Sequence, residues 1–316
     1  MKEFYTYEQQ IEKLKRDGLT IEDEQLVIKE LQLEGYYNII NGYAMIFKNG
    51  EKFIKGTNFE NINHLYDFDK ILRSIVYKYT SSAECHFKAI LAHEFSRIHG
   101  VDEKIYLSKD SFSPNKNRKS SIETLITICE ETIKDAIDKS STKYREYIHH
   151  NLIKHQHVPL WVLIRAITFG TTSIFYENLK DNEKDIIAEK YSLTGKQLSN
   201  ILEVVVSFRN IVAHGERTFC ARLPKKRLST ELSITNKLCI EKNDKGDNKF
   251  GRNDFLALLI CCKYLLQPVE FAGFTTELTA ALDTLEKQQK RFIFVKIKTL
   301  MGLKSDNWKN LVKLKI

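Results

Sequence analysis

Residues 61–99, NINHLYDFDKILRSIVYKYTSSAECHFKAILAHEFSRIH, decide the fold class. Leu65, Phe68, Ile71, Leu72, Ile75 and Val76 recur at intervals of three and four, which lines one face of a helix and predicts one long helix or a broken pair. The rest of the chain is equally poor in helix breakers. Its 13 Gly and 4 Pro in 316 residues amount to about 5%, against roughly 12% in ordinary proteins. That scarcity favours long helices and excludes a turn-rich β-sandwich or a collagen-like chain. A hydrophobic content of 42%, with 11% aromatic residues, excludes an intrinsically disordered chain.

Upstream, Tyr7 to Arg16 reads as a short helix stopped at Asp17-Gly18, and Glu22 to Leu33 as a second, with Thr20 and Asp23 as its cap and Gly35 as its stop. Gly35 to Tyr43, with two tyrosines between its glycines and a third just after them, reads as a compact turn. Downstream, a polar loop from Ser108 to Ser120 leads to the capping signature Ser120-x-x-Glu123 and a helix to about Lys139. A loop containing Pro159 precedes a helix from Leu160 to about Leu179. Thr194-x-x-Gln197 opens another helix. Cys239 to Asp254 reads as loop, followed by helices at about Asp254–Leu266 and Thr275–Arg291. Arg291 to Lys298 mixes alternation with β-branched residues, and a short strand is one reading of it. The fold class is all-α. Three regions are expected: a small N-terminal helical module over 1–55, a helical domain over 56–235, and a basic helical extension over 236–316.

The net charge is +8, and Lys287 to Ile316 accounts for all of it, with nine Lys/Arg and Asp306 as its one acid. A second basic run, Arg217, Arg222, Lys225, Lys226 and Arg227, has no acid within it. Such runs supply the sequence-independent part of phosphate binding, or simply form a solvated face. Six scattered cysteines without a C-x-x-C pair suggest neither a disulfide framework nor a zinc ribbon. Glu3 and Lys2 interrupt any signal-peptide core, and the longest apolar stretch, Phe255 to Cys262, is too short to span a bilayer. A cytoplasmic location without membrane partners is expected.

The helix after Thr194 carries the chemistry. On a wheel of 100° per residue, Leu198, Leu202, Val205 and Val212 lie within about 40° of one direction, and Arg209 falls inside that stripe. A guanidinium among aliphatics needs an acid partner, Glu84 being one candidate, or a cleft. Glu203, Ser207, Asn210 and His214 occupy the polar side, with Asn210 four residues before His214. One reading is a structural Arg paired with an acid and a surface His. The other is an active site, in which His moves a proton and Arg forks onto a phosphate. Arg209 and His214 stand about 140° apart on a regular helix, so catalysis by both requires a break near Gly215 or a second copy of the chain.

Arg209-Asn210-Ile211-Val212-Ala213-His214 resembles the signature of the HEPN ribonuclease superfamily. Val158-Pro159-Leu160-Trp161 through Thr168-Phe169-Gly170 to Tyr176 and Leu179 resembles a block of the Abi-like abortive-infection proteins, AbiD/AbiF branch. Tyr5 to Ile11 with Leu31 to Tyr43, and Met301-Gly302-Leu303 with Trp308, resemble the two ends of the same family. The resemblance implies a HEPN-type helical bundle and a toxin that cleaves RNA in phage defence without metal or cofactor. It implies Arg209 and His214 as catalytic pair and Asn210 as support, with Arg217 as a following Arg. It also implies a homodimer and a structured noncoding RNA as antitoxin. Gly215 departs from the pattern, since many relatives place a second His or Asn there. Attack by the ribose 2′-hydroxyl, leaving a cyclic phosphate, would confine cleavage to RNA.

Arg217, Arg222, Lys225, Lys226 and Arg227 are the expected RNA contacts. The alternative is a noncatalytic RNA-binding or scaffold protein of the same family. His149, His150, His155 and His157 cluster without a nearby Cys or acid at ligand spacing, so they are read as loop residues and not as a metal site. Tyr36, Tyr37 and Tyr43 are read as packing residues, with base stacking as the other reading. The phosphate-loop pattern Gly-x4-Gly-Lys-Ser/Thr is absent from the sequence.

Overall fold

A computed structural model of the chain describes residues 3–225, 227–229 and 232–315. The fold is all-α; among the described residues the strands β1 (Lys48–Asn49) and β2 (Lys52–Phe53) form one small antiparallel hairpin, Lys48 opposite Phe53. Before the hairpin stand α1 (Tyr7–Arg16) and α2 (Glu24–Glu34). Beyond it, α3 (Phe59–His99) is a single helix of 41 residues, about 60 Å long. Asn58 starts it with a reciprocal side-chain cap to Asn61, and Gly100 ends it.

The short α4 (Glu103–Tyr106) leads to α5 (Lys119–Ile137) and α6 (Glu146–His155). Then come α7 (Leu160–Leu163), α8 (Phe169–Glu177) and α9 (Asp181–Glu189). The helix α10 (Gly195–Ala213) opens with the expected cap: Thr194 Oγ1 accepts the Gln197 N–H and Gln197 Oε1 accepts the Thr194 N–H. After α11 (Ser233–Lys237) come α12 (Phe255–Leu265), α13 (Pro268–Gln288) and α14 (Arg291–Leu300).

Two helices lie antiparallel along α3. Gln289 Nε2 donates to the Asn61 carbonyl (2.8 Å), Tyr79 Oη donates to Glu277 (2.8 Å), and His86 faces Glu270, which sets the direction of α13. Arg209 lies against Glu84, and the backbone at 218–219 against Asp69, which sets the direction of α10. The C-terminal end of α10 therefore points to the first half of α3 and the N-terminal region. All eleven residues of α12 are buried, and it packs against α3, α10 and α13. A helix apolar all round belongs inside, and each Leu, Ile or Phe buried there contributes about 1.5–3 kcal/mol of transfer free energy. One cluster of buried side chains runs from Ile11 to Leu311.

Several local expectations need correction. Arg291–Lys298 is helix, not strand: Ile293, Phe294 and Ile297 are buried, a helical spacing that the apparent alternation concealed. Ser120 does not cap α5, which begins at Lys119 without a side-chain cap; the Ser120 carbonyl instead accepts from Thr124 inside the helix. Asp23, not Thr20, caps α2, taking the N–H groups of Gln25 and Leu26. The expected helix over 160–179 is interrupted at 164–168, where Thr168 caps a fresh helix. His149, His150 and His155 lie on helix α6, not on a loop. Gly35–Tyr43 is a run of irregular helical turns that buries Ile39, Ile40 and Tyr43.

Candidate functional site

Arg209 sits where the helical wheel puts it, among buried Leu202, Val205 and Val212 on the face of α10 that meets α3. Its Nε lies 3.7 Å from Glu84 Oε2, with the guanidinium 5.8 Å from the ring centre of Tyr77. Glu84 also holds Lys88 at 2.6 Å, and Lys88 donates to the Ile167 carbonyl (2.8 Å). The acid is thus shared by two cations. The Arg209 side chain keeps 27% of its surface exposed. Among the described residues its two terminal nitrogens make no hydrogen bond, and its Nε is buried without one. Glu84 therefore grips the inner edge of the guanidinium and leaves the outer fork available for a bidentate anion.

The end of α10 fixes His214. His214 is the C-cap and its backbone N–H donates to the Asn210 carbonyl at 3.0 Å. The Gly215 N–H bonds the Val212 carbonyl (3.2 Å) and the Glu216 N–H bonds the Ile211 carbonyl (3.0 Å), a Schellman closure. That closure needs the left-handed backbone found at Gly215, φ +71°. A glycine at this position therefore has a conformational reason. The His214 and Asn210 side chains are exposed, and no hydrogen bond joins them among the described residues.

The chain leaving His214 is tied down by a residue that sequence reasoning missed. Asp69 of α3 is fully buried. Its Oδ1 accepts the Phe219 N–H (2.8 Å), and its Oδ2 accepts the Tyr43 hydroxyl (2.8 Å), Arg73 Nη1 (2.9 Å) and the Thr218 N–H (3.1 Å). Burial pushes its carboxyl up from the usual range, and those donors oppose the rise. The signal for it was an acid at a position of the apolar stripe, between Leu65 and Leu72. Tyr43 is thus a buried structural residue whose ring also stacks on Phe219 (5.8 Å), whereas Tyr37 is exposed.

The structure does not gather the basic residues into one patch. Arg217 donates to the Gly42 carbonyl (2.8 Å), fastening the N-terminal region. Arg222 faces buried Asp254 at 3.9 Å. Lys225 and Arg227 are exposed and without side-chain partners among the described residues; Lys226 lies outside them. The Arg227 carbonyl accepts from Asn200, which places that segment about 20 Å along α10 from His214. In the C-terminal run, Lys290 and Lys296 donate to the carbonyls of Gly56 and Ile46, and Lys298 pairs with Asp306. Much of the positive charge therefore holds the fold together. The rings of His150 and His155 lie 6.4 Å apart, and those of His155 and His157 6.2 Å. Among the described residues no helix is long and apolar enough to cross a membrane.

An all-helical protein with an Arg and a His displayed on one capped helix is the class that this fold and site define. Over residues 29–220 the chain matches the family of Abi-like proteins, and it belongs to that family, an abortive-infection protein. The matched span takes in α3, α10 and the tether at Asp69, and stops before Arg222. No curated protein and no solved structure matches the chain.

Proposed function

We propose that the protein is a HEPN-type, metal-independent endoribonuclease toxin of a phage-defence or toxin–antitoxin system, restrained by a structured noncoding RNA. The observation that supports this reading is the free outer fork of Arg209, held at its inner edge by Glu84, on the helix that ends in an exposed His214. Imidazole is the side chain suited to exchanging a proton near neutral pH, and a guanidinium fork suits a phosphate that gains charge in the transition state. The 2′-hydroxyl loses its proton to imidazole and its oxygen bonds phosphorus. The bond from phosphorus to the 5′ oxygen breaks and that oxygen takes a proton, leaving a cyclic phosphate and a 5′-hydroxyl.

Arg209 faces α3 while His214 is exposed at the helix end, so the proposed site is composite, Arg209 of one copy meeting His214 of a second in a homodimer. Asn210, exposed beside His214, is the supporting residue, and Lys225, Lys226 and Arg227 are backbone contacts for RNA. The competing reading, a noncatalytic RNA-binding protein, draws on the Arg209–Glu84 pair as purely structural. Incubation with single-stranded RNA in EDTA separates them: cleavage by the wild type that His214→Ala abolishes, with RNA binding kept, is the expected result. An intact RNA with both proteins rejects the ribonuclease reading.

A further inference from the structure

We infer that Asp69 is a positioning residue for His214, and that Tyr43 makes the N-terminal region part of the site's support. The inference rests on the reading of His214 as a catalytic residue. His214 is followed by Gly215 and Glu216, both locked to the last turn of α10, then by Arg217, whose guanidinium reaches the Gly42 carbonyl. Thr218 and Phe219 come next, fully buried, with both N–H groups on the Asp69 carboxylate. The backbone around the imidazole is thus fixed on the helix side by the Schellman closure and on the far side by one acid. That acid is held in place from two further directions, by Arg73 one turn along α3 and by the Tyr43 hydroxyl.

The consequence is geometric. Asp69 lies on the same continuous helix as Glu84, the residue against Arg209. In each copy, α3 therefore sets the positions of the Arg209 and the His214 which that copy gives to the two composite sites, Arg209 directly and His214 through the 218–219 backbone. Loosening Asp69 removes the far-side anchor of His214 while leaving Glu84 against Arg209. Because one donor to Asp69 comes from residue 43, displacement of the N-terminal region would be felt at His214 as well.

The test uses the full chain with Tyr43→Phe, which removes only the hydroxyl and keeps the ring on Phe219, and Asp69→Asn, which keeps the shape and one acceptor. Misplacing a reacting group by a fraction of an ångström lowers turnover by about tenfold or more. Both variants are expected to lose kcat on RNA by about that factor with KM unchanged within about twofold, Asp69→Asn the more strongly. In parallel, the imidazole resonance of His214, assigned as the one missing from His214→Ala, should shift or broaden in both variants, with the other eight histidines unmoved. The spectrum reads the positioning even if no RNA is cleaved, so failure of the ribonuclease reading and failure of this inference are told apart. A variant that melts earlier yet leaves the His214 resonance and kcat unchanged would show a merely structural Asp69 and overturn it.

Discussion

Glu84 is the residue whose loss should be most informative about how Arg209 is held. At 3.7 Å the gross attraction between Glu84 and Arg209 is roughly 4–5 kcal/mol at an effective dielectric of 20 and about 1 kcal/mol in bulk water. The two side chains are 13% and 27% exposed, which places the pair between those limits, and desolvation of both groups offsets much of the gain. Glu84→Gln also leaves Lys88 and Arg209 as like charges without their shared acid. A loss of about 1–3 kcal/mol follows, which for 316 residues is a fall of about 2–5 °C in Tm. Urea denaturation of the wild type, Glu84→Gln, Arg209→Ala and the double variant should return a coupling energy of about 1 kcal/mol. Two effects that simply add, within about 0.3 kcal/mol, would refute the claim that Glu84 grips Arg209.

Three further outcomes follow from the same structure. Nothing lies within 4 Å of a Cβ built on Gly215, but its φ is +71°; Gly215→Ala should therefore destabilise by about 1 kcal/mol through the backbone alone, and Gly215→Asn by less. Denaturant midpoints check the order, and an Asn variant weaker than Ala would contradict it. Glu34 has its pKa lowered by Lys70 and then by the Tyr66 hydroxyl. Its contribution is therefore present above the unfolded carboxylate pKa and lost as pH falls through the lowered value. Glu34→Gln should lower stability at pH 7, by less than about 1 kcal/mol, and progressively less as pH falls below the unfolded carboxylate pKa; a loss that does not change with pH would exclude that linkage. Replacing Lys225 and Arg227 together by Gln should reduce the slope of log affinity for single-stranded RNA against log salt by about 1.4, while an unchanged slope would remove them as phosphate contacts.

The parts of the fold that were legible in the sequence rest on local periodicity. The cap at Thr194 and the stripe of α10 with Arg209 inside it follow from spacings of three and four, and an Arg inside that stripe calls for an acid partner, for which Glu84 is one candidate in the sequence and the partner in the structure. The segment of α14 satisfies alternation through Ile293, Val295 and Ile297 as well as a helical face, and only packing of Ile293, Phe294 and Ile297 decides between them. The break at 164–168 depends on a new cap at Thr168 in an otherwise apolar run. Asp69 was hidden for a different reason. Its partners at 43, 218 and 219 are distant in the chain, so nothing local announces them. The same holds for Arg217, Lys290 and Lys296, whose positive charge suggests a nucleic-acid surface until their carbonyl partners are seen.

The composite site is tested most directly by mixing two inactive proteins. Arg209→Ala and His214→Ala should each fail to cleave single-stranded RNA in EDTA. After co-refolding in equal amounts, half of the dimers pair one of each and carry one intact Arg209–His214 combination, so cleavage should return to about a quarter of the wild-type rate. A mixture as inactive as its components, or either variant active by itself, would contradict a site shared between two copies.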